Sequence, residues 1–264
     1  MESKNRNIWI IVAVIVVALC CCTLAVAAVA VGLFSTQPFA WTWSTNIQRA
    51  RSEEAFAVGD APDVQIDNFA GNVTVRTGES GLVRVAATRQ ARSRNDLDRV
   101  KVQISERDGG LVIKTEKPMS LTTASVDLEI TAPAGTRLQV DTGAGNVEID
   151  GITGGIDAYS GAGDTDVRGA AGTARLDTGA GSIRYQGTPQ GECSFETGAG
   201  NITLALPADV NVQVDLGTGV GNVDVGFVVD GQVSRQSVQG VIGSGAQGTI
   251  YAHTGAGNID VVRR

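Results

Sequence analysis

His253 is the chain's one histidine, and Cys193 is its one cysteine outside an apolar N-terminal run. Ser-His-Asp triads, Cys-His dyads and His-ligated zinc all draw on imidazole, so a single His removes most of these schemes. By repeat register His253 shares an outward column with Asp141, Tyr159, Asp177 and Glu196. That column is the candidate site, read as a solvated ladder with no catalytic, cofactor-binding or metal-ligating residue assigned to it. Gly243-Ser244-Gly245-Ala246-Gln247-Gly248 has the spacing of a dinucleotide fingerprint. That mechanism needs a helix opening at the third Gly and an acid about 20 residues on. Only 16 residues remain, and they hold another Gly-rich corner and strand, so the segment reads as a turn. A Ca²⁺-binding nonapeptide repeat places Asp two residues after its last Gly. Here those positions are Val147, Thr165, Ile183, Ile202, Val223 and Ile259, and Asp164 with Asp166 alone is a poor cage for a hard cation.

The elements that position these residues follow from an internal repeat. Gly-Ala-Gly or a near relative ends at Gly145, Gly163, Gly181, Gly200, Gly221 and Gly257, at spacings of 18, 18, 19, 21 and 36, the last being two periods. A degenerate copy ends at Gly71. A polar residue follows each copy (Asn146, Asp164, Ser182, Asn201, Asn222, Asn258), and then an apolar alternation such as Ile183/Tyr185 or Ile202/Leu204. A second alternation leads in, for example Leu138/Val140/Thr142 and Cys193/Phe195/Thr197. Period-2 alternation with one apolar side is the strand pattern. Two short strands cannot bury that side alone, but stacked on like neighbours about 4.8 Å away they can. The expected fold is all-β, a single-stranded β-solenoid or β-helix with coils of ~18 residues. In it Cys193 is buried, and the column Thr142, Ser160, Thr178, Thr197, Thr218 and Thr254 sets hydroxyls where turn amides need partners. The Asn72-Val73-Thr74 and Asn201-Ile202-Thr203 glycosylation patterns coincide with corners, which accounts for both Asn residues without a sugar.

Ile8 to Phe34 runs 27 residues without a charge, about 40 Å as a helix, which exceeds the ~30 Å hydrocarbon core. It is longer than the apolar stretch of a secretory signal, although Ala25-Val26-Ala27 has the form of a cleavage site. Cys20, Cys21 and Cys22 lie inside it as small apolar surface; Leu19 before them does not suit a lipidation box. Lys4 and Arg6 keep residues 1–7 cytoplasmic under the positive-inside rule and export the rest. The expected organisation is a cytoplasmic tail 1–7, a transmembrane helix 8–34, a stalk or linker 35–59 and a β-solenoid domain 60–264. The localisation implied is a cell membrane, single-pass, with the lipid bilayer as a partner of the N-terminal helix. Beyond that segment the charge is more negative than the −7 of the whole chain, and no basic stripe appears, so nucleic acid is excluded as a partner. With Gly at 34 positions and aromatics at 5%, the core must be built of thin Val, Ile and Ala layers.

Before the regular coils, Val64/Ile66, Val73/Val75, Val83/Val85, Val100/Val102/Ile104, Leu111/Ile113 and Val126/Leu128/Ile130 mark longer strands. Arg89 to Arg99 reads as a charged excursion and Val228 to Gly240 as an insertion, while 130–135 and 204–209 are similar Pro-containing turns. The stretch Val126-Asp127-Leu128-Glu129-Ile130-Thr131-Ala132-Pro133 followed by serial Thr-Gly-Ala-Gly-Asn corners resembles the bacterial "putative adhesin" family of β-strand-repeat domains, over about 60–264. The family usually has Gly-Ser-Gly-Asp where this chain has Gly-Ala-Gly-Asn. The resemblance implies a Gly-rich β-helix, frequently membrane-tethered and sometimes linked to envelope-stress systems. It carries no established catalytic or binding residues to transfer.

Three functions fit these expectations. The leading one is a non-enzymatic adhesion or interaction module with a protein or cell-surface partner. The second is an envelope-stress regulatory component acting through a membrane partner, since a seven-residue tail cannot signal alone. The third is a self-assembling scaffold, because solenoid ends expose unpaired edges; Arg263-Arg264 after the last coil would guard one such edge by charge. No cofactor is expected.

Overall fold

The computed structural model describes residues 47–245 and 248–264. The expected tail, transmembrane helix, Cys triplet and first part of the stalk lie outside the described residues. Among these residues no helix is long and apolar enough to cross a membrane. They form nineteen strands joined in one curled sheet and are all-β apart from one short helix.

Each coil has a leading strand, a Gly-rich corner and a trailing strand. The leading strands β2 (Asp63–Asn68), β8 (Arg137–Thr142) and β10 (Ile156–Ala162) pair in parallel. The C-terminal halves of β11 (Thr165–Ala180) and β12 (Ile183–Ala199) continue that column. The trailing column contains β3 (Val73–Thr77), β9 (Val147–Asp150), the N-terminal parts of β11 and β12, and β13 (Ile202–Leu206). Inward side chains of both columns form the core: Leu138, Leu176, Phe195, Ile149, Ile183 and Leu204 are all at most 1% exposed. The Tyr185 and Phe195 rings meet at 5.0 Å between centroids, and Cys193 is fully buried as expected. Burial pushes the pKa of both the Cys193 thiol and the Tyr185 phenol up, so neither ionises readily.

The corners set how closely coils approach. The ladder runs around them without a break: Gly163 N–H donates to Ala180 O, Gly181 N–H to Ala199 O and Gly200 N–H to Ala256 O, each at 2.9 Å. At this spacing a Cβ on Gly200 would fall closer than 3.0 Å to the carbonyl of Gly181, and one on Gly257 would meet Gly200 in the same way. The polar residue after each corner builds a second ladder. The Asn146 side-chain oxygen accepts from Asp164 N–H at 3.0 Å, Asp164 from Ser182 N–H at 2.8 Å, and Ser182 from Asn201 N–H at 3.4 Å. Asn201 accepts from Asn258 N–H at 2.8 Å and Asn258 from Asn222 N–H at 3.0 Å. These side chains therefore satisfy the corner amides. The hydroxyl column does something other than expected. Thr178 donates to Gly163 O at 3.1 Å, Thr197 to Gly181 O at 2.8 Å and Thr254 to Gly200 O at 2.9 Å. The hydroxyls sit inward of the corner, beneath carbonyls, so they supply protons where amide acceptors were anticipated.

The coils do not stack in chain order. β14 (Val212–Val220) and β15 (Val223–Val225) are followed by an antiparallel hairpin of β16 (Val229–Val233) and β17 (Ser237–Ile242), and β17 pairs with β14. The chain then returns, and the last coil, β18 (Gly248–Ala256) with β19 (Ile259–Arg263), inserts in parallel between β12–β13 and β14–β15. The insertion at Val228–Gly240 thus covers the outer edge of β14. Arg263 and Arg264 do not guard an end. The Arg263 guanidinium lies 5.0 Å from the Phe227 ring, and Arg264 N–H donates to Leu206 O. Coils sharing one corner pattern fit any neighbour, so the connecting hairpin decides the order.

The N-terminal end follows the same plan. β6 (Gly110–Glu116) and β7 (Ser125–Ala132) stack on β2–β3 opposite β8–β9. β4 (Leu82–Ala91) pairs antiparallel with β7, β1 (Gln48–Ala57) with β4, and β5 (Lys101–Arg107) with β6. β1 replaces much of the stalk expected before residue 60, because its register against β4 spans all ten residues. The charged stretch 89–99 splits into the end of β4 and helix α1 (Arg94–Arg99), whose N-cap Ser93 accepts from Asp96 N–H and which buries Leu97. The two Pro turns do match: Thr136 N–H reaches Pro133 O and Val210 N–H reaches Pro207 O, both at 3.1 Å.

Gly200→Ala is expected to destabilise the chain by at least about 2–3 kcal/mol, because backbone must move to admit the methyl. Ala199→Ser at the exposed middle of the same corner should stay within about 0.5 kcal/mol. Urea denaturation midpoints check both, and equal midpoints would count against close packing at the corner. Asn201→Asp keeps an acceptor for Asn258 N–H, whereas Asn201→Leu removes it at a cost of about 0.5–1.5 kcal/mol. Equal stability of these two variants would mean the polar ladder contributes nothing.

Candidate functional site

Outward residues of the leading column alternate with the buried ones, so every second position becomes a rail along the stack. Asp141 is the register partner of Tyr159, Tyr159 of Asp177, Asp177 of Glu196 and Glu196 of His253. All five expected ladder residues are thus adjacent along one rail. The rail extends at its N-terminal end to Asp67, beside Lys114 at 3.8 Å. Asp67 stands four residues before Gly71, as Asp141 stands four before Gly145, so the degenerate first copy could have revealed it. His253 lies beside Glu196 because of the inserted last coil; serial winding would have put Gly217 there.

A second rail runs two residues earlier on each strand: Gln139, Asp157, Arg175, Ser194, Tyr251, Asp215 and then Gln239 of β17. The two rails meet at His253, whose Nε2 is 3.8 Å from Asp215 Oδ1. Gly217 makes room for this. A Cβ there would lie 2.9 Å from His253 Nδ1, so the absent side chain lets the imidazole lie over β14. Asp215 also accepts from Gln239 Nε2 at 3.0 Å, and Glu196 accepts from Ser194 Oγ at 3.2 Å. Partial burial, then the facing Glu196 carboxylate, raise the pKa of Asp177, and Arg175 opposes the shift.

The face offers acceptors, an exposed phenol and an imidazole at strand intervals. Among the described residues no three His, Cys, Asp or Glu side chains converge closely enough to hold a metal ion. The residues two past each corner Gly point inward: Val147, Thr165, Ile183, Ile202, Val223 and Ile259 are all buried. Asp164 is engaged with Ser182 N–H, and Asp166 pairs with Arg168 at 2.6 Å. Gly243 and Gly245 lie in the turn between antiparallel β17 and parallel β18.

A raised Asp177 pKa means the folded chain holds that proton more tightly than the unfolded chain. Its charge therefore weighs against folding above the folded pKa, and the penalty is gone below the unfolded value of about 4. Asp177→Asn should raise stability at pH 7 by less than about 1 kcal/mol, with the gain vanishing near pH 4. Paired thermal melts at the two pH values test this, and a less stable variant at pH 7 would contradict it.

Comparisons with known proteins bear on this fold. The Toastrack DUF4097 family model matches residues 62–262. A "putative cell adhesion protein" from Clostridium sporogenes is similar in structure, with 16% identity over 81% of this chain and 100% of its own, at a TM-score of 0.48. A "putative adhesin" from Bacteroides fragilis has 13% identity over 81% of this chain and 97% of its own, at a TM-score of 0.41. Another from Parabacteroides distasonis has 14% identity over 81% and 96%, at 0.33. No curated protein matches the chain. The corners, the parallel columns and the family match over most of the length converge: this chain belongs to the Toastrack DUF4097 family.

Proposed function

We propose that the chain is a non-enzymatic adhesion or interaction module, held at a cell membrane by residues 8–34, with the two-rail face as its contact surface. The observation that carries this reading is the unbroken register from Asp67 through Asp141, Tyr159, Asp177 and Glu196 to His253. A rigid face with side chains repeating at about 4.8 Å suits an extended partner that presents donors at matching intervals. The residues that could catalyse are poorly placed for it. His253 pairs with a carboxylate on an open face, and the Cys193 thiol is sealed in the core with its pKa raised. The partner is a protein or other cell-surface component, and the bulk of the chain is extracytoplasmic in this reading.

Intact cells and envelope fragments should be captured by the full chain reconstituted in lipid nanodiscs. The triple variant Tyr159→Ser, Asp177→Asn, Glu196→Gln should lose at least about tenfold in capture, equivalent to about 1.4 kcal/mol. No capture above an empty-nanodisc background would overturn the interaction reading. Undiminished capture by the folded triple variant would move the contact surface elsewhere.

A further inference from the structure

At its C-terminal end the two-rail face becomes a cleft, because β16 and β17 extend the leading column beyond β14. The cleft has a volume of about 420 Å³ and is lined by Gln213, Asp215, Gln232, Gln239, Thr249 and Tyr251. That volume falls in the lower part of the range of about 300–1,000 Å³ usual for small-ligand sites. A glycine pair opens it. Gly231 and Gly240 are register partners, and a Cβ on either would meet backbone of the opposite strand closer than 3.0 Å. The hairpin therefore closes tightly while leaving this part of the wall without side chains.

The polar groups divide into two sets. Asp215 is held in place, one oxygen accepting from Gln239 Nε2 and the other facing His253 Nε2. The amides of Gln213 and Gln232 and the hydroxyls of Thr249 and Tyr251 make no side-chain hydrogen bond to other described residues, although all four line the cleft. Tyr251 is 37% exposed and flanks Asp215 in register. Planar amides and a fixed carboxylate suit vicinal hydroxyl pairs, since each can donate and accept or accept twice. An exposed phenol ring adds an apolar platform with a polar edge, suited to the C–H face of a sugar ring. Among the described residues no Lys or Arg lines the cleft, and Asp215 sits in its wall, so phosphate, sulfate and carboxylate ligands are disfavoured.

The geometry points to a saccharide site: the cleft beneath the β16–β17 hairpin takes a neutral sugar unit, and the second rail guides the adjoining units toward Ser194 and Arg175. This inference rests on the interaction reading and names the chemical class of its partner. It stands apart from the acidic rail, from which Tyr159 supplies a second exposed tyrosine outside the cleft.

The test is retention of the full chain in nanodiscs on immobilised neutral glycans ending in glucose, galactose, mannose or N-acetylglucosamine, with sialylated and sulfated glycans for comparison. The wild-type chain should be retained by at least one neutral glycan. Tyr251→Ala and Gln232→Ala should each weaken retention by about tenfold or more, with melting curves confirming the fold, and Met119→Ala, at an exposed position on neither rail, should leave it unchanged. Retention by none of the neutral glycans, preference for the anionic ones, or retention unaffected by both cleft variants overturns the saccharide site. Envelope capture is read in parallel. Capture that persists undiminished in both cleft variants sinks the cleft alone and leaves the interaction reading standing, whereas loss of wild-type capture sinks that broader reading.

Discussion

Backbone approach at the corners governs the structure. The coils hydrogen-bond to one another through the turn as well as along the strands, so the carbonyl of one corner glycine occupies the space where a Cβ of the next would stand. In the regular coils, glycine at the first and third corner positions keeps strand spacing around the bend. The middle residue points outward and is unconstrained by this contact, which is why Ala144, Ala162, Ala180 and Ala199 give way to Val220 in one coil. The residue that follows must carry a short acceptor, and Asn, Asp and Ser all serve because each reaches the corner amide of the adjacent coil.

This constraint couples fold to surface. Once the corners lock the register, every outward position must fall into a rail, and a regular face arises from stacking alone. It also makes coils interchangeable, because any Thr-Gly-Ala-Gly-Asn coil offers its neighbour the same donors and acceptors. The chain uses that freedom at both ends, where antiparallel strands occupy the outer edges and a parallel coil sits inside. Covering strand ends in this way limits edge-to-edge association, the hazard of an open stack. The same antiparallel hairpin that covers β14 supplies Gln232 and Gln239 to the cleft, so edge protection and site construction share one element.

Much of the candidate site was legible before any coordinates. Asp141, Tyr159, Asp177, Glu196 and His253 occupy equivalent places relative to their corners, and a fixed offset from a repeating Gly is enough to place residues on one rail. Asp67 was equally accessible through the Gly71 copy. Tyr251, Asp215 and Gln239 were not, because their meeting depends on an antiparallel strand that belongs to no repeat. The same gap explains β1: ten residues without apolar alternation carry no strand signal, and the exposed edge of β4 is what orders them.

Periodicity alone thus determined the all-β class, the strands, the inward columns, the corners and the rail, since each follows from local alternation and from glycine at fixed intervals. Tertiary structure decided the order of the coils, the direction of the hydroxyl hydrogen bonds and the existence of the cleft. Equivalent coils have equivalent local energies, so no local pattern can rank their arrangements. The connecting hairpins choose among them by which edges they occupy, and that is a property of the assembled stack.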